Sequence, residues 1–366
     1  MCIYNLIMNT EPNEVFYLLP YTVEDVMMPM SSGQTLGWHI SAFNLPSIWK
    51  ITQGEGVKIA IIDSGCDLTH PDLIPNLIEG KNFVEEGFPP EDSGQHGTHL
   101  AGIIAANNDD NGIVGVAPQS KIMPLKVLNS YGMANLKAVE QAIYYAVDNG
   151  ADLISMSLGC RNPVPSVLEA INYANSKNVV CFVAAGNAGS TKQLLYPAAY
   201  TESISVGAVD ENSMRADFSC TGPNLDFVAP GVRIYSTVPK SSYAYLSGTS
   251  MSCPFVVATA ALVLSEKRKE DPSIKLNINQ YREILKKNSL DIKNLDLNLD
   301  QQGKRFWQGM GLINPDQFSE WVEYKTVESI KKDLASVSDR ISMIKNKHLL
   351  KDLDQFLDMI ASKVTS

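Results

Sequence analysis

Four short stretches of this 366-residue sequence hold groups suited to acid–base and nucleophilic chemistry. Ile61-Ile62-Asp63-Ser64-Gly65 sets a carboxylate at the end of an apolar run. A charge there is costly unless it has a partner or a task, and the plainer reading is a strand-end Asp closing a turn. Gln95-His96-Gly97-Thr98-His99 opens a small-residue helical stretch with two imidazoles three positions apart. On a helix these share a face, so a metal pair is one reading. With no H-E-x-x-H pattern and no evident third ligand, one general base and one structural histidine is the better one. Ser247-Gly248-Thr249-Ser250-Met251-Ser252-Cys253-Pro254 leads into a long apolar run. It places Ser250 at a helix N-terminus, where free N–H groups and the dipole favour a developing negative charge; a simple N-cap serine fits the same pattern. Pro254 is expected in or near the first turn, where a missing N–H costs least. Val183-Ala184-Ala185-Gly186-Asn187 ends a fourth run in a side-chain amide, otherwise read as a turn Asn before Gly189.

The elements that must position these groups are legible around them. Val57–Ile62, Ile122–Leu128, Ala151–Leu158, Val179–Ala185 and Ser203–Val209 are short and almost continuously apolar, as strands buried on both faces of a parallel sheet are. Between them Leu136–Asn149 has apolar positions at helical spacing with Gly150 as its C′ residue, and Val167–Ser176 is a second helix. This alternation predicts an α/β fold, a doubly wound and mostly parallel sheet with helices on both faces. Functional groups are then expected at the carboxyl ends of the strands. Three regions separate: a Met- and Pro-rich leader over residues 1–32, the α/β region over 33–318, and a charged tail over 319–366. In the tail Ile330, Leu334, Val337, Ile341 and Ile344, then Leu350, Leu353, Leu357 and Ile360, step by threes and fours. Two amphipathic helices are expected, as a C-terminal helical extension packed on its own chain or as a coiled coil in a homodimer.

Composition narrows the function classes. The net charge is −10, which disfavours phosphate backbones and anionic lipid, so neither nucleic acid nor membrane is expected as a partner. The start of the chain lacks a basic region ahead of a sustained apolar stretch, a poor secretion signal, and no run is read as approaching a membrane span. The six cysteines form no C-x-x-C pair and several sit in apolar runs, reading as buried, reduced thiols. A cytoplasmic location is the expectation. Asn107-Asn108-Asp109-Asp110-Asn111-Gly112 is an oxygen-rich loop suited to a hard cation, or a solvated turn.

Taken together and in the chain order Asp63, His96, Ser250, these motifs resemble the subtilisin-like serine proteases, over nearly the whole of the α/β region. The resemblance implies a serine endopeptidase acting on polypeptides. Ser250 would attack the scissile carbonyl, His96 would carry the proton, and Asp63 would hold the imidazole. Asn187 would donate to the oxyanion. It implies further that Ser157, Leu158 and Gly159, with Tyr131, Gly132 and Met133, sandwich the substrate backbone as an added strand. Ala185, Gly186 and the region of Leu195 would wall the pocket for the residue before the cleaved bond. A structural Ca²⁺ is implied at Gln34, Asp72, Asn107, Asp109, Asn111 and Ile113, and a weaker cation site at the carbonyls of Ala198, Tyr200 and Ser203. Phe255 departs from the family, which usually has a histidine there. Leu18-Leu19-Pro20-Tyr21 and Asp63-Ser64-Gly65-Cys66-Asp67 resemble the intracellular branch, whose N-terminal extension lies back across the active site. This implies an inhibited zymogen. A dedicated leader-peptide maturation protease and a non-catalytic peptide-binding module are the competing readings.

Overall fold

The computed structural model describes residues 15–27, 33–189, 193–287, 289–293 and 301–317. The chain divides into two units, Met1–Pro315 and Asp316–Ser366. The tail helices expected over 319–366, residues 1–14 of the leader, and Cys2 lie outside the described residues.

In chain order the strands are β1 (Val15–Leu18), β2 (Thr22–Met27), β3 (Lys58–Asp63), β4 (Lys81–Asn82), β5 (Lys121–Lys126), β6 (Met133–Asn135), β7 (Leu153–Met156), β8 (Leu158–Gly159), β9 (Val180–Ala184), β10 (Ile204–Val209), β11 (Phe227–Pro230), β12 (Ile234–Val238), β13 (Ser242–Ser247), β14 (Ser289–Leu290) and β15 (Leu312–Ile313). The helices are α1 (Trp38–Ser41), α2 (Leu45–Ile48), α3 (His96–Ala105), α4 (Leu136–Asp148), α5 (Pro165–Ser176), α6 (Thr249–Arg268), α7 (Ile278–Lys287) and α8 (Gln301–Gln308).

The main sheet runs β14-β15-β11-β10-β9-β7-β3-β5-β4. Every pairing in it is parallel except β14 with β15. The five apolar runs are its centre: β7, β9 and β10 are buried at every residue, and β3 at all but Lys58. Helices α3 and α6 pack together on this sheet, and α4 and α5 form a second pair on it. Asn135 caps α4 by accepting from Ala138 N, and Gly150 follows the helix at φ 78°, the left-handed C′ conformation that favours glycine.

Two expectations are corrected here. By length and composition α6 is apolar enough to cross a membrane. It is instead the core helix, buried at every residue from Thr249 to Ser265, which is why it is apolar all round. Pro254 sits well inside α6 rather than in its first turn. A residue there would donate its N–H to the carbonyl four positions earlier, that of Ser250. Proline cannot, and the Ser250 carbonyl accepts instead from Ser157 Oγ at 3.1 Å. The proline thus ties the start of α6 to the segment between β7 and β8.

Candidate active site

The predicted groups converge at the carboxyl ends of the strands. Asp63 is the last residue of β3, and Asn187 follows β9. His96 begins α3, whose first turn fits closely against the β3 turn: a methyl group on Gly97 would collide with the Gly65 carbonyl. Ser64 N donates to Asp63 Oδ1 at 2.8 Å, and Ser64 Oγ accepts from Gly97 N at 3.0 Å. Asp92 supports this corner by accepting from Ser64 Oγ, Thr98 N and Thr98 Oγ1. Ser64 and Asp92 were not among the predicted site residues; their only sequence signal is short polar side chains beside a helix start.

His96 Nδ1 lies 2.8 Å from Asp63 Oδ1, with both side chains buried. This bond fixes the imidazole orientation and leaves Nε2 for a substrate or nucleophile. Among the described residues neither His96 Nε2 nor Ser250 Oγ has a hydrogen-bond partner, and both are buried. His99 has a different task. Its Nε2 lies 3.0 Å from the Ile234 carbonyl and 3.1 Å from that of Ala244, and burial lowers its pKa to about 3. It is a strut between α3 and the β12–β13 hairpin, and among the described residues no cluster of three or more His, Cys, Asp or Glu side chains could hold a metal ion, which counts against the metal-pair reading. Phe255 is fully buried against Phe43, with ring centroids 5.3 Å apart, and beside His39.

Asn187 is oriented by a residue that sequence reasoning missed. Its Oδ1 accepts from Thr249 N at 2.9 Å and Thr249 Oγ1 at 2.8 Å. With the oxygen held by the first turn of α6, Nδ2 must face the cleft. There it donates to the Pro20 carbonyl at 2.7 Å.

The leader residues Leu18, Leu19, Pro20 and Tyr21 therefore lie in the cleft. β1 pairs antiparallel with β6 on one side and β8 on the other, with Tyr17 opposite both Met133 and Gly159 and Leu18 opposite Leu158. Leu18 N also donates to the Gly132 carbonyl at 2.8 Å. The segments containing Gly132, Met133, Leu158 and Gly159 thus sandwich an extended strand, while the Tyr131 side chain is 84% exposed and Ser157 turns to α6. Leu19 is fully buried. A methyl group on Gly159 would lie 3.3 Å from Leu19 Cδ2 and 3.0 Å from Leu195 Cβ; one on Gly186 would lie 3.1 Å from Leu195 Cγ. Leu195 thus fills the space between the two glycines, and Leu19 meets it there. Ala185 is buried and accepts from Leu195 N at 3.1 Å. Beyond Pro20, the Tyr21 ring lies 4.9 Å from the His96 ring. Burial pushes the Tyr21 hydroxyl pKa up.

The residues expected to bind a cation are also brought together. Gln34 Nε2 donates to the carbonyls of Asn107 at 2.8 Å, Ile113 at 2.9 Å and Asn111 at 3.2 Å. Asp72 Oδ2 accepts from Ile113 N and the Tyr243 hydroxyl, and burial, with Asp109 adding to it, raises the Asp72 pKa. The Asp109 carboxylate accepts from Asn107 Nδ2 and Asn111 N in the same loop. Of the three carbonyls expected at the weaker cation position, that of Ser203 accepts from a protein cation. Arg282 donates to the Ser203 carbonyl at 2.8 Å and to both carboxylate oxygens of Asp226.

Residues 54–311 match the model of the subtilase family. The chain is 44% identical over 232 residues to an intracellular serine protease of Paenibacillus polymyxa, covering 61% of this chain and 71% of that protein. It is 44% identical over 224 residues to thermitase of Thermoactinomyces vulgaris, covering 61% and 80%. To the major intracellular serine protease of Bacillus subtilis (strain 168) it is 40% identical over 258 residues, covering 68% and 80%.

Proposed function

Because the chain belongs to the subtilase family and is a serine endopeptidase of the subtilisin type, we propose that Asp63, His96 and Ser250 are its triad, that Asn187 is its oxyanion donor, and that it is made as an autoinhibited intracellular zymogen. Ser250 Oγ attacks the carbonyl and passes its proton to His96 Nε2. Asp63 stabilises the imidazolium, and the protonated His96 then delivers the proton to the leaving amine; water repeats the sequence on the acyl-enzyme. The observation that carries the reading is the Asn187 Nδ2 bond to the Pro20 carbonyl, beside the Asp63–His96 pair and at the start of the Ser250 helix. A peptide carbonyl occupies the position where an oxyanion is stabilised.

Autoinhibition rests on how that carbonyl is presented. In a productive substrate, one residue both fills the pocket before the cleaved bond and offers its carbonyl to the oxyanion donors. In the leader these tasks fall on neighbours: Leu19 packs at the Gly159–Leu195 wall, while Pro20 supplies the carbonyl. Proline locks its own φ and lacks an N–H, so the chain cannot relax into the usual register there. The test is a full chain carrying a foreign protease site between Met27 and Gly33, cut after folding. Peptide hydrolysis should rise about a hundredfold or more on cutting, since a tethered segment acts at millimolar effective concentration. Equal activity before and after release of the leader would overturn the zymogen reading.

A structural Ca²⁺ fits the Gln34 cluster. Three carbonyl oxygens converge on one side-chain amide. Turning that amide over would set Oε1 against the same oxygens, an arrangement that needs a hard cation. Gln34, Asp72, Asp109 and the carbonyls of Asn107, Asn111 and Ile113 would hold it. It would brace the scaffold and take no part in the proton transfers. At calcium a hundredfold above its dissociation constant the stabilisation is about 3 kcal/mol. Chelation should then lower the melting temperature by roughly 5–10 °C, and Asp72→Asn should abolish the difference. A melting temperature indifferent to calcium would count against the site. Cys66, Cys160, Cys181, Cys220 and Cys253 are buried and form no disulfide among the described residues, which, with the relatives named intracellular, supports a cytoplasmic location.

A further inference from the structure

The leader does not end its pairing at the catalytic groups. With the Pro20 carbonyl on Asn187, Tyr21 is the first residue after the bond presented to Ser250, Thr22 the second and Glu24 the fourth. From Thr22 onward the chain forms β2, antiparallel to β13: Thr22 stands opposite Ser247, Val23 opposite Leu246, Glu24 opposite Tyr245, Val26 opposite Ala244 and Met27 opposite Tyr243. The register shifts at Asp25, whose φ is 46°, a bulge that bends the strand along the hairpin. β13 leads through Gly248 directly into α6 and Ser250. Its outer edge is thus continuous with the catalytic groups.

What holds β2 is mostly backbone. Val23 is 41% exposed and Val26 62% exposed, so the strand buries little side-chain surface. A ladder of this kind accepts many sequences. One side-chain contact stands out. The Glu24 carboxylate is ion-paired with the Arg233 guanidinium. Arg233 precedes β12, on the far side of β13, and its guanidinium reaches across lying 5.0 Å from the centre of the Tyr245 ring. Its backbone is fixed as well: φ is 52°, and Arg233 N donates to Ser247 Oγ at 2.8 Å. A cation stacked on an aromatic face and anchored at its main chain loses less freedom on pairing than a free arginine does.

We propose that the β13 edge uncovered when β2 departs is an extended binding strand for the second to seventh residues after the cleaved bond, and that Arg233 selects an acidic residue at the fourth. β2 is then a resident occupant whose Glu24 imitates the preferred substrate. An uncovered edge exposes unpaired N–H and C=O groups, ready to take up another strand. The preference rests on the proposed triad acting at the bond that follows the carbonyl on Asn187.

The experiment uses the full chain with the cleavable site between Met27 and Gly33, cut after folding, as wild type, Arg233→Glu and Arg233→Lys. Each preparation is titrated with a fluorophosphonate so that only reactive Ser250 is counted. The substrates are quenched peptides identical except for Glu, Gln or Lys at the fourth position after the cleaved bond. Wild type should favour Glu over Lys about three- to fivefold in kcat/KM, the scale of a partly exposed ion pair. Arg233→Glu should reverse the order, and Arg233→Lys should keep the wild-type direction. The same Glu/Lys ratio in wild type and Arg233→Glu, with normal titration, would overturn the subsite alone. Absence of fluorophosphonate labelling in the cut wild-type chain would overturn the triad reading and the subsite with it.

Discussion

Replacing Ser250 with Ala should abolish fluorophosphonate labelling of the leader-released chain and lower kcat by about a millionfold, the scale of nucleophile loss in subtilisin itself. The same variant should be as stable as the parent in urea, or slightly more so. Ser250 Oγ is buried and has no hydrogen-bond partner among the described residues, so removing it breaks nothing and relieves a desolvated hydroxyl. The tie between α6 and the β7–β8 segment runs through the Ser250 carbonyl, which alanine retains. The pairing of outcomes makes the test sharp: a residue kept for structure would lose stability, whereas a nucleophile loses only chemistry. Hydrolysis reduced less than about a thousandfold, far short of the roughly millionfold cost of losing a nucleophile, would assign the nucleophile elsewhere.

The second large effect is expected from Asn187→Ala, a fall in kcat of about a hundred- to a thousandfold with KM little changed. The asymmetry follows from geometry, because the Nδ2 donor strengthens as negative charge develops on the carbonyl oxygen and contributes less to the neutral ground state. Thr249→Val separates donor from support. It removes the Oγ1 contact to Asn187 Oδ1 but leaves the Thr249 N contact. It should lower kcat by a smaller factor, about tenfold, through a looser amide. Both variants need the leader released before assay, since Asn187 also grips Pro20 and its loss would ease leader escape in the uncut chain. A rise in KM equal to the fall in kcat/KM would instead make Asn187 a ground-state binding residue.

Much of this was legible in the chain because the signals were local. The apolar runs that become β3, β5, β7, β9 and β10 shift by only a residue or two at their ends, since a strand buried on both faces is apolar throughout. Asp63, His96, Asn187 and Ser250 stood out because each follows or opens such an element. The leader motif around Pro20 was visible too, though its register was not. Pro254 misled because the proline signal for a helix start is statistical, while its tolerance inside α6 depends on Ser157 taking the Ser250 carbonyl. Thr249, Ser64 and Asp92 went unread because a short polar residue near a helix start looks the same whether it caps a turn or orients a catalytic group.

By itself, then, the sequence determined the doubly wound core, the chain order Asp63, His96, Ser250 of the proposed triad, and the Leu18–Tyr21 motif that precedes it. Each of these follows from periodicity, chain order or a contiguous motif. Only the tertiary structure decided which Pro20 atom meets Asn187, that Leu195 closes the space between Gly159 and Gly186, that Arg282 supplies a cation beside Ser203, and that Arg233 reaches Glu24 across β13. Those contacts join residues far apart in the chain, and no local propensity encodes them. They are set by strand register and by backbones close enough that one side chain, or the absence of one, determines what the cleft can hold.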